Sequence, residues 1–129
     1  MSAPCWYAYQ YVVLRAVPRV DREEFVNVGV VLYSQDAGYL AAATAIDADR
    51  LLALHPGLDL DGLRAALATV SNVCEGEAVA GLPRDARDGR RFGWLAAPRS
   101  TVLQPGPVHG GQATDPRAEL ALLLGRLVG

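Results

Sequence analysis

The sequence predicts an α+β fold: an antiparallel sheet of three to five strands, opened by a hairpin, with about three helices packed mainly on one face. Three observations carry that prediction. Two apolar segments near the N-terminus alternate at period two, a polar connection separates them, and leucines at helical spacing dominate the later segments. The order strand–strand–strand, helix–helix, short strand, helix suits an antiparallel sheet with segregated helices rather than alternating βαβ units.

The first strand is "YAYQYVVLRAV", residues 7–17. Tyr7, Tyr9, Tyr11, Val13 and Arg15 share one face, while Ala8, Gln10, Val12, Leu14 and Ala16 share the other. Pro18 interrupts it, and "PRVDRE" is a polar connection. Residues 25–33 form the second strand, with Val26, Val28, Val30 and Leu32 toward the core and Phe25, Asn27, Gly29, Val31 and Tyr33 away from it. One hairpin register sorts these faces. Leu14 then meets Val28 and Val12 meets Val30 on the apolar side, while Arg15 meets Asn27, Val13 meets Gly29 and Tyr9 meets Tyr33 on the other. "SQDAG" is a turn with Gly38 available for a positive φ, and "YLAAATAI" is the third strand.

Asp47 is placed to cap a short helix, "ADRLLAL", which stops at His55-Pro56-Gly57. Asp59 or Asp61 starts a longer one, whose Leu60, Leu63, Leu67, Val70 and Cys74 make a single apolar stripe before Gly76. Residues 76–98 read as irregular and exposed, with Phe92 and Trp94 anchoring entry into a strand. "STVLQ" is a fourth strand and "PGPVHGGQATDP" a loop. Asp115 as N-cap with Pro116 behind it opens a last helix, whose Leu120, Leu123, Leu124 and Leu127 pack inward.

Length and composition bound the function. At 129 residues the chain is expected to form one domain, 1–129, large enough for a core without staples. An apolar share of 51% and a charged share of 20% are those of a soluble globular protein. No uninterrupted apolar run reaches the roughly 18 residues of a membrane span, and "MSAPCWYAYQ" lacks the basic-then-apolar pattern of a signal peptide. A cytoplasmic protein without membrane contact is expected. Cys5 and Cys74 lie far apart, and His55 and His109 add no ligand spacing, so two free thiols are expected and neither a metal site nor a cofactor.

All twelve basic residues are arginine, and their distribution is uneven. Residues 1–83 set five arginines against ten carboxylates, whereas residues 84–99 set five against two. That argues against a nucleic-acid binder, which needs a broad basic face, but it leaves room for a local anion site.

Three constellations stand out. On the first hairpin, Arg15 offers a fork for carboxylate or phosphate, Asn27 a donor and an acceptor, and Gly29 close approach. The same residues also read as internal packing, with Arg15 paired to Glu23 or Glu24. In "RDGRRFGW", Arg90 and Arg91 beside Phe92 and Trp94 suit a phosphate and a stacked base, or equally a solvated loop. In "PRSTVLQPGPVHGG", Ser100, Gln104 and His109 are polar groups near a glycine pair. No GxSxG elbow accompanies Ser100, and no acid is placed to orient His109.

These stretches also carry a family resemblance. "YQYVVLRAVPRVDREEFVNVGVVLY", "RRFGWLAAPRSTVLQPGPVHGG" and "DPRAELALLLGRLV" resemble, in that order, the bacterial family catalogued as domain of unknown function 3037. "REEFVNVGVVL" is the most specific element, and Arg22, Glu24, Asn27, Gly29, Arg91, Phe92, Arg99, Ser100, Gln104 and His109 match motif positions of the family. The resemblance implies a small bacterial protein whose gene often lies beside one for a HipA-like kinase, and it brings no catalytic residues.

The expected function is therefore an accessory or interaction module acting with a HipA-like kinase. The alternative is a phosphate- or nucleotide-binding module built from Arg15, Asn27, Arg90, Arg91 and His109. A weaker one is a small hydrolase or transferase using Ser100 and His109. A small anionic ligand and a homo-oligomer both remain compatible with the sequence.

Overall fold

The computed structural model describes residues 4–99 and 101–128. The fold is α+β: a five-stranded antiparallel sheet with four helices packed against it. Strands β1 (Tyr7–Ala16), β2 (Val26–Ser34) and β3 (Tyr39–Thr44) come first, followed by helices α1 (Ala48–Leu54), α2 (Leu60–Cys74) and α3 (Asp88–Ala96). Short strands β4 (Leu103–Pro105) and β5 (His109–Ala113) and helix α4 (Pro116–Leu127) complete it. The sheet order is β3-β2-β1-β4, and β5 pairs with the N-terminal half of the same β1 edge that β4 borders at its other end.

The hairpin forms, but its register shifts once. Arg15 pairs with Asn27 and Ala16 with Val26, as the patterning predicts. Beyond that point Leu14 pairs with Gly29, Val12 with Val31 and Gln10 with Tyr33, so Val28 is an extra residue in a β-bulge. The bulge corrects three expectations. Val31 and Tyr33 turn toward α1–α3. Val30 and Leu32 turn to the opposite face. Tyr9 no longer meets Tyr33; it stands opposite Gly111 of β5. Every residue from Val28 to Leu32 is buried, so both faces of the strand are core and apolar alternation holds no phase there.

Gly29 moves with the bulge. It lies on the Leu14 side rather than beside Asn27: a Cβ there would stand 3.0 Å from the Ala43 carbonyl oxygen and 3.3 Å from Leu14 Cδ1. Close packing against the Ala43 backbone and the Leu14 and Thr44 side chains, rather than the approach of a ligand, explains this glycine.

Two cores result, one on each side of the sheet. On one side Val12, Leu14, Val28 and Val31 meet Leu51 of α1, Leu63, Leu67 and Val70 of α2, and Phe92 and Leu95 of α3. On the other side Tyr9, Val30, Leu32 and Ala113 meet Leu120 and Leu123 of α4. The last helix thus covers the Tyr/Arg15/Asn27 face from this same chain, with Ala41 and Ala43 of β3 packed against that core as small neighbours. Burying each of those leucines contributes about 1.5–3 kcal/mol.

The helix starts are set by the predicted caps. Asp47 accepts from the Arg50 amide, Asp59 from the Gly62 amide, and Asp115 from the Arg117 and Ala118 amides with Pro116 at the first turn. Gly38 takes the positive φ of 60° in the β2–β3 turn. Two segments differ from expectation. Residues 88–96 form a helix rather than a loop entering a strand, because Arg91, Phe92 and Leu95 fall on one buried face. Residues 109–113 form strand β5 within the predicted loop. Its Gly111 is the floor for the Tyr9 ring, since a Cβ would come within 2.6 Å of ring atoms. Among the described residues, no helix is long and apolar enough to cross a membrane.

Candidate functional site

Gln104, Arg15 and Asn27 occupy one rung that crosses β4, β1 and β2. The sequence predicted the Arg15–Asn27 half of that rung. Asn27 donates from Nδ2 to the Leu127 carbonyl oxygen at 3.0 Å, tying β2 to the C-terminal turn of α4. The Arg15 guanidinium lies over the Phe25 ring, 4.2 Å from Cζ to the centroid, and against the bare face of Gly106. Neither Glu23 nor Glu24 takes it as an ion pair; Glu24 pairs with Arg22 at 2.7 Å. Gln104 turns back and donates from Nε2 to the Thr101 carbonyl.

Among the described residues, two buried side-chain polar atoms lack a hydrogen-bond partner: Arg15 Nε and Asn27 Oδ1. Both belong to this rung. One needs an acceptor and the other a donor. A cleft of about 270 Å³ opens beside Asn27, lined by Phe25, Asn27, Arg50, Leu127 and Val128, with Arg15 stacked behind the Phe25 ring.

The other predicted residues disperse. Arg91 is buried at 1% exposure, and its guanidinium donates to six carbonyls: Val73, Gly76, Glu77, Pro83, Arg84 and Ala86. Those oxygens belong to the end of α2 and the loop that follows it. The cation therefore sits at the negative end of a helix and holds the 75–87 connection closed. It has no donor left for a ligand. Arg90 is exposed and donates to the Gly81 carbonyl at 3.3 Å. His109 is exposed on β5, its ring stacked on Tyr11 with centroids 5.2 Å apart. Arg91 and Phe92 of α3 belong to one face of the sheet, whereas Tyr11, beneath His109, packs with the α4 core on the other. Arg90 and Arg91, on α3, thus do not converge with Arg15 and Asn27, and His109 meets β1 at Tyr11, four residues along the strand from Arg15. Ser100 lies outside the described residues. Among those described, no three His, Cys, Asp or Glu side chains converge as a metal site would require.

One surface feature lies outside the three constellations of the sequence. Trp6 is 62% exposed and Leu122 68% exposed, and both line one shallow groove with Gln112, Ala113, Ala118 and Glu119. Leu122 falls outside the α4 stripe of Leu120, Leu123 and Leu127, and that off-stripe leucine was the available signal. The groove borders β5, which among the described residues pairs with β1 alone and leaves its outer backbone groups facing outward. Asp115 and Glu119 place two carboxylates on the groove, and neither forms an ion pair among the described residues. Glu119 Oε2 accepts from the Tyr9 hydroxyl at 3.2 Å. Burial, and next the Glu119 charge, raise the Tyr9 phenol above its ordinary pKa.

Comparison with known proteins gives one match. The profile of the family described as "Protein of unknown function (DUF3037)" aligns with residues 11–128, nearly the whole chain. No curated protein and no solved structure matches it.

Proposed function

The chain belongs to the DUF3037 family, and on that premise we propose that it is an accessory interaction module acting with a HipA-like kinase encoded nearby. The observation that carries this reading is the groove of Trp6 and Leu122 alongside the outward-facing edge of β5. Large apolar side chains gathered beside an unpaired strand edge are the ingredients of strand addition, in which main-chain hydrogen bonds give affinity and side-chain pockets give selectivity. Asp115 and Glu119 set the complementary charge: the partner segment is extended, apolar and basic.

Co-expression with the neighbouring kinase tests the reading. A complex is expected by native mass spectrometry, and Leu122→Glu is expected to abolish it while leaving the circular dichroism unchanged. No complex, or a complex indifferent to Trp6→Glu and Leu122→Glu, overturns it. A concentration-dependent homodimer sensitive to the same substitutions reassigns the groove to a second copy of the chain.

A second reading, a phosphate- or nucleotide-binding module, is favoured by the unpartnered Arg15 Nε and Asn27 Oδ1 on one rung, with Asn27 lining the Arg50 cleft. It predicts a rise in melting temperature with inorganic phosphate or nucleotides that Arg50→Gln removes. The hydrolase reading gains nothing from His109, which is stacked on Tyr11 at an exposed strand edge.

A further inference from the structure

On the sheet face opposite α4, a second cleft of about 220 Å³ enters the main core between α2, α3 and β4. Its apolar walls include Leu14, Val70, Leu95 and Leu103, all buried core residues, together with the Trp94 ring. Protein interiors are close-packed, so a gap of this size bounded by core leucines is space the described residues leave unfilled. The polar side chains of the lining are few. The Thr69 and Thr101 hydroxyls are both spent on backbone carbonyls, of Ala65 and Leu103. The remaining one is Arg99.

The Arg99 guanidinium lies over the Trp94 ring, 4.1 Å from Cζ to the centroid, and one of its nitrogens donates to the Trp94 carbonyl. It forms no ion pair among the described residues. A half-buried cation held over an aromatic ring at an apolar cleft, with N–H groups unused among the described residues, suits an anion.

We propose that this cleft binds a small monocarboxylic acid with a compact aromatic or branched aliphatic body, the carboxylate on Arg99 and the body against Trp94, Leu14 and Leu95. The size fits: an engineered apolar cavity of about 150 Å³ already takes benzene. The roughly 70 Å³ that remain here suit a carboxyl group. The charge selects carboxylate over phosphate, because one guanidinium balances a monoanion and leaves a dianion uncompensated against leucine walls. The site is independent of the Trp6–Leu122 groove, which lies across the sheet.

Titration of the full chain carrying Trp6→Phe, in which Trp94 is the sole tryptophan, tests the proposal. Benzoate and 4-methylpentanoate are expected to change Trp94 emission saturably. Arg99→Gln should weaken that binding about ten- to a hundred-fold. Ala66→Leu, which fills the cleft wall, should abolish it without altering the circular dichroism. Benzyl alcohol, the same shape without the charge, should bind at least about ten-fold more weakly. An absence of saturation with either carboxylate overturns the proposal. So does binding equal for benzoate, benzyl alcohol and phosphate, or binding unchanged by both Arg99→Gln and Ala66→Leu.

Discussion

Asn27 and Leu127, a hundred residues apart in the chain, are joined by one hydrogen bond of 3.0 Å from the Asn27 carboxamide to the Leu127 carbonyl oxygen. It fixes the C-terminal turn of α4 over the sheet, and through it the position of the helix that carries Leu122. Asn27→Ala removes the bond but also removes the unpartnered Oδ1, so a loss of only about 0.5–1.5 kcal/mol is expected by urea unfolding. Asn27→Asp should cost more than Asn27→Ala. Its carboxylate has no hydrogen to donate and faces the negative end of α4.

Gly111 supports the Tyr9 ring, and any side chain there meets it. Gly111→Ala is expected to destabilise the fold by about 1–3 kcal/mol, because the ring must leave and with it the Tyr9–Glu119 hydrogen bond. Gly110→Ala, whose Cβ would meet its nearest neighbour at an ordinary 3.7 Å, is the control and should be tolerated.

Arg91 closes the 75–87 connection by donating to six carbonyls. Arg91→Lys keeps the charge but has three donors and no fork. A loss of about 2–4 kcal/mol is expected, with rapid amide exchange appearing in residues 76–87 before global unfolding.

The two thiols should separate cleanly. Burial, then the neighbouring Asp88 and Glu75 charges, push Cys74 up to about 12, whereas Cys5 is exposed. At about pH 8 a disulfide reagent should therefore modify Cys5 quickly and Cys74 only on unfolding. Fast modification of both would contradict the packing of α2 against α3.

The phase of a buried strand is what the sequence conceals here. Arg15 and Asn27 were readable as partners because each is a polar residue in an apolar strand, and one register brings them together. The shift just beyond them was not, since Val30, Val31 and Leu32 are apolar on both faces and a bulge changes nothing in their composition. Helix α3 was hidden because Gly89, Gly93 and three charged residues give 88–94 the look of a loop, and nothing local signals that Arg91 is buried. Strand β5 was hidden behind Gly110 and Gly111, one of which is glycine on account of a tyrosine a hundred residues earlier. Of the candidate site, the Arg15–Asn27 pair was legible and the carbonyl cage of Arg91 was not. Carbonyl oxygens leave no trace in a sequence.

Amide hydrogen exchange across β5, measured with and without the proposed partner, a HipA-like kinase, decides whether the Trp6–Leu122 groove is a docking surface. Binding is expected to slow exchange at outward-facing amides of residues 109–113 and along the α4 turn bearing Leu122, and to leave residues 76–87 unchanged. Protection confined to another surface, or none on mixing, would contradict it.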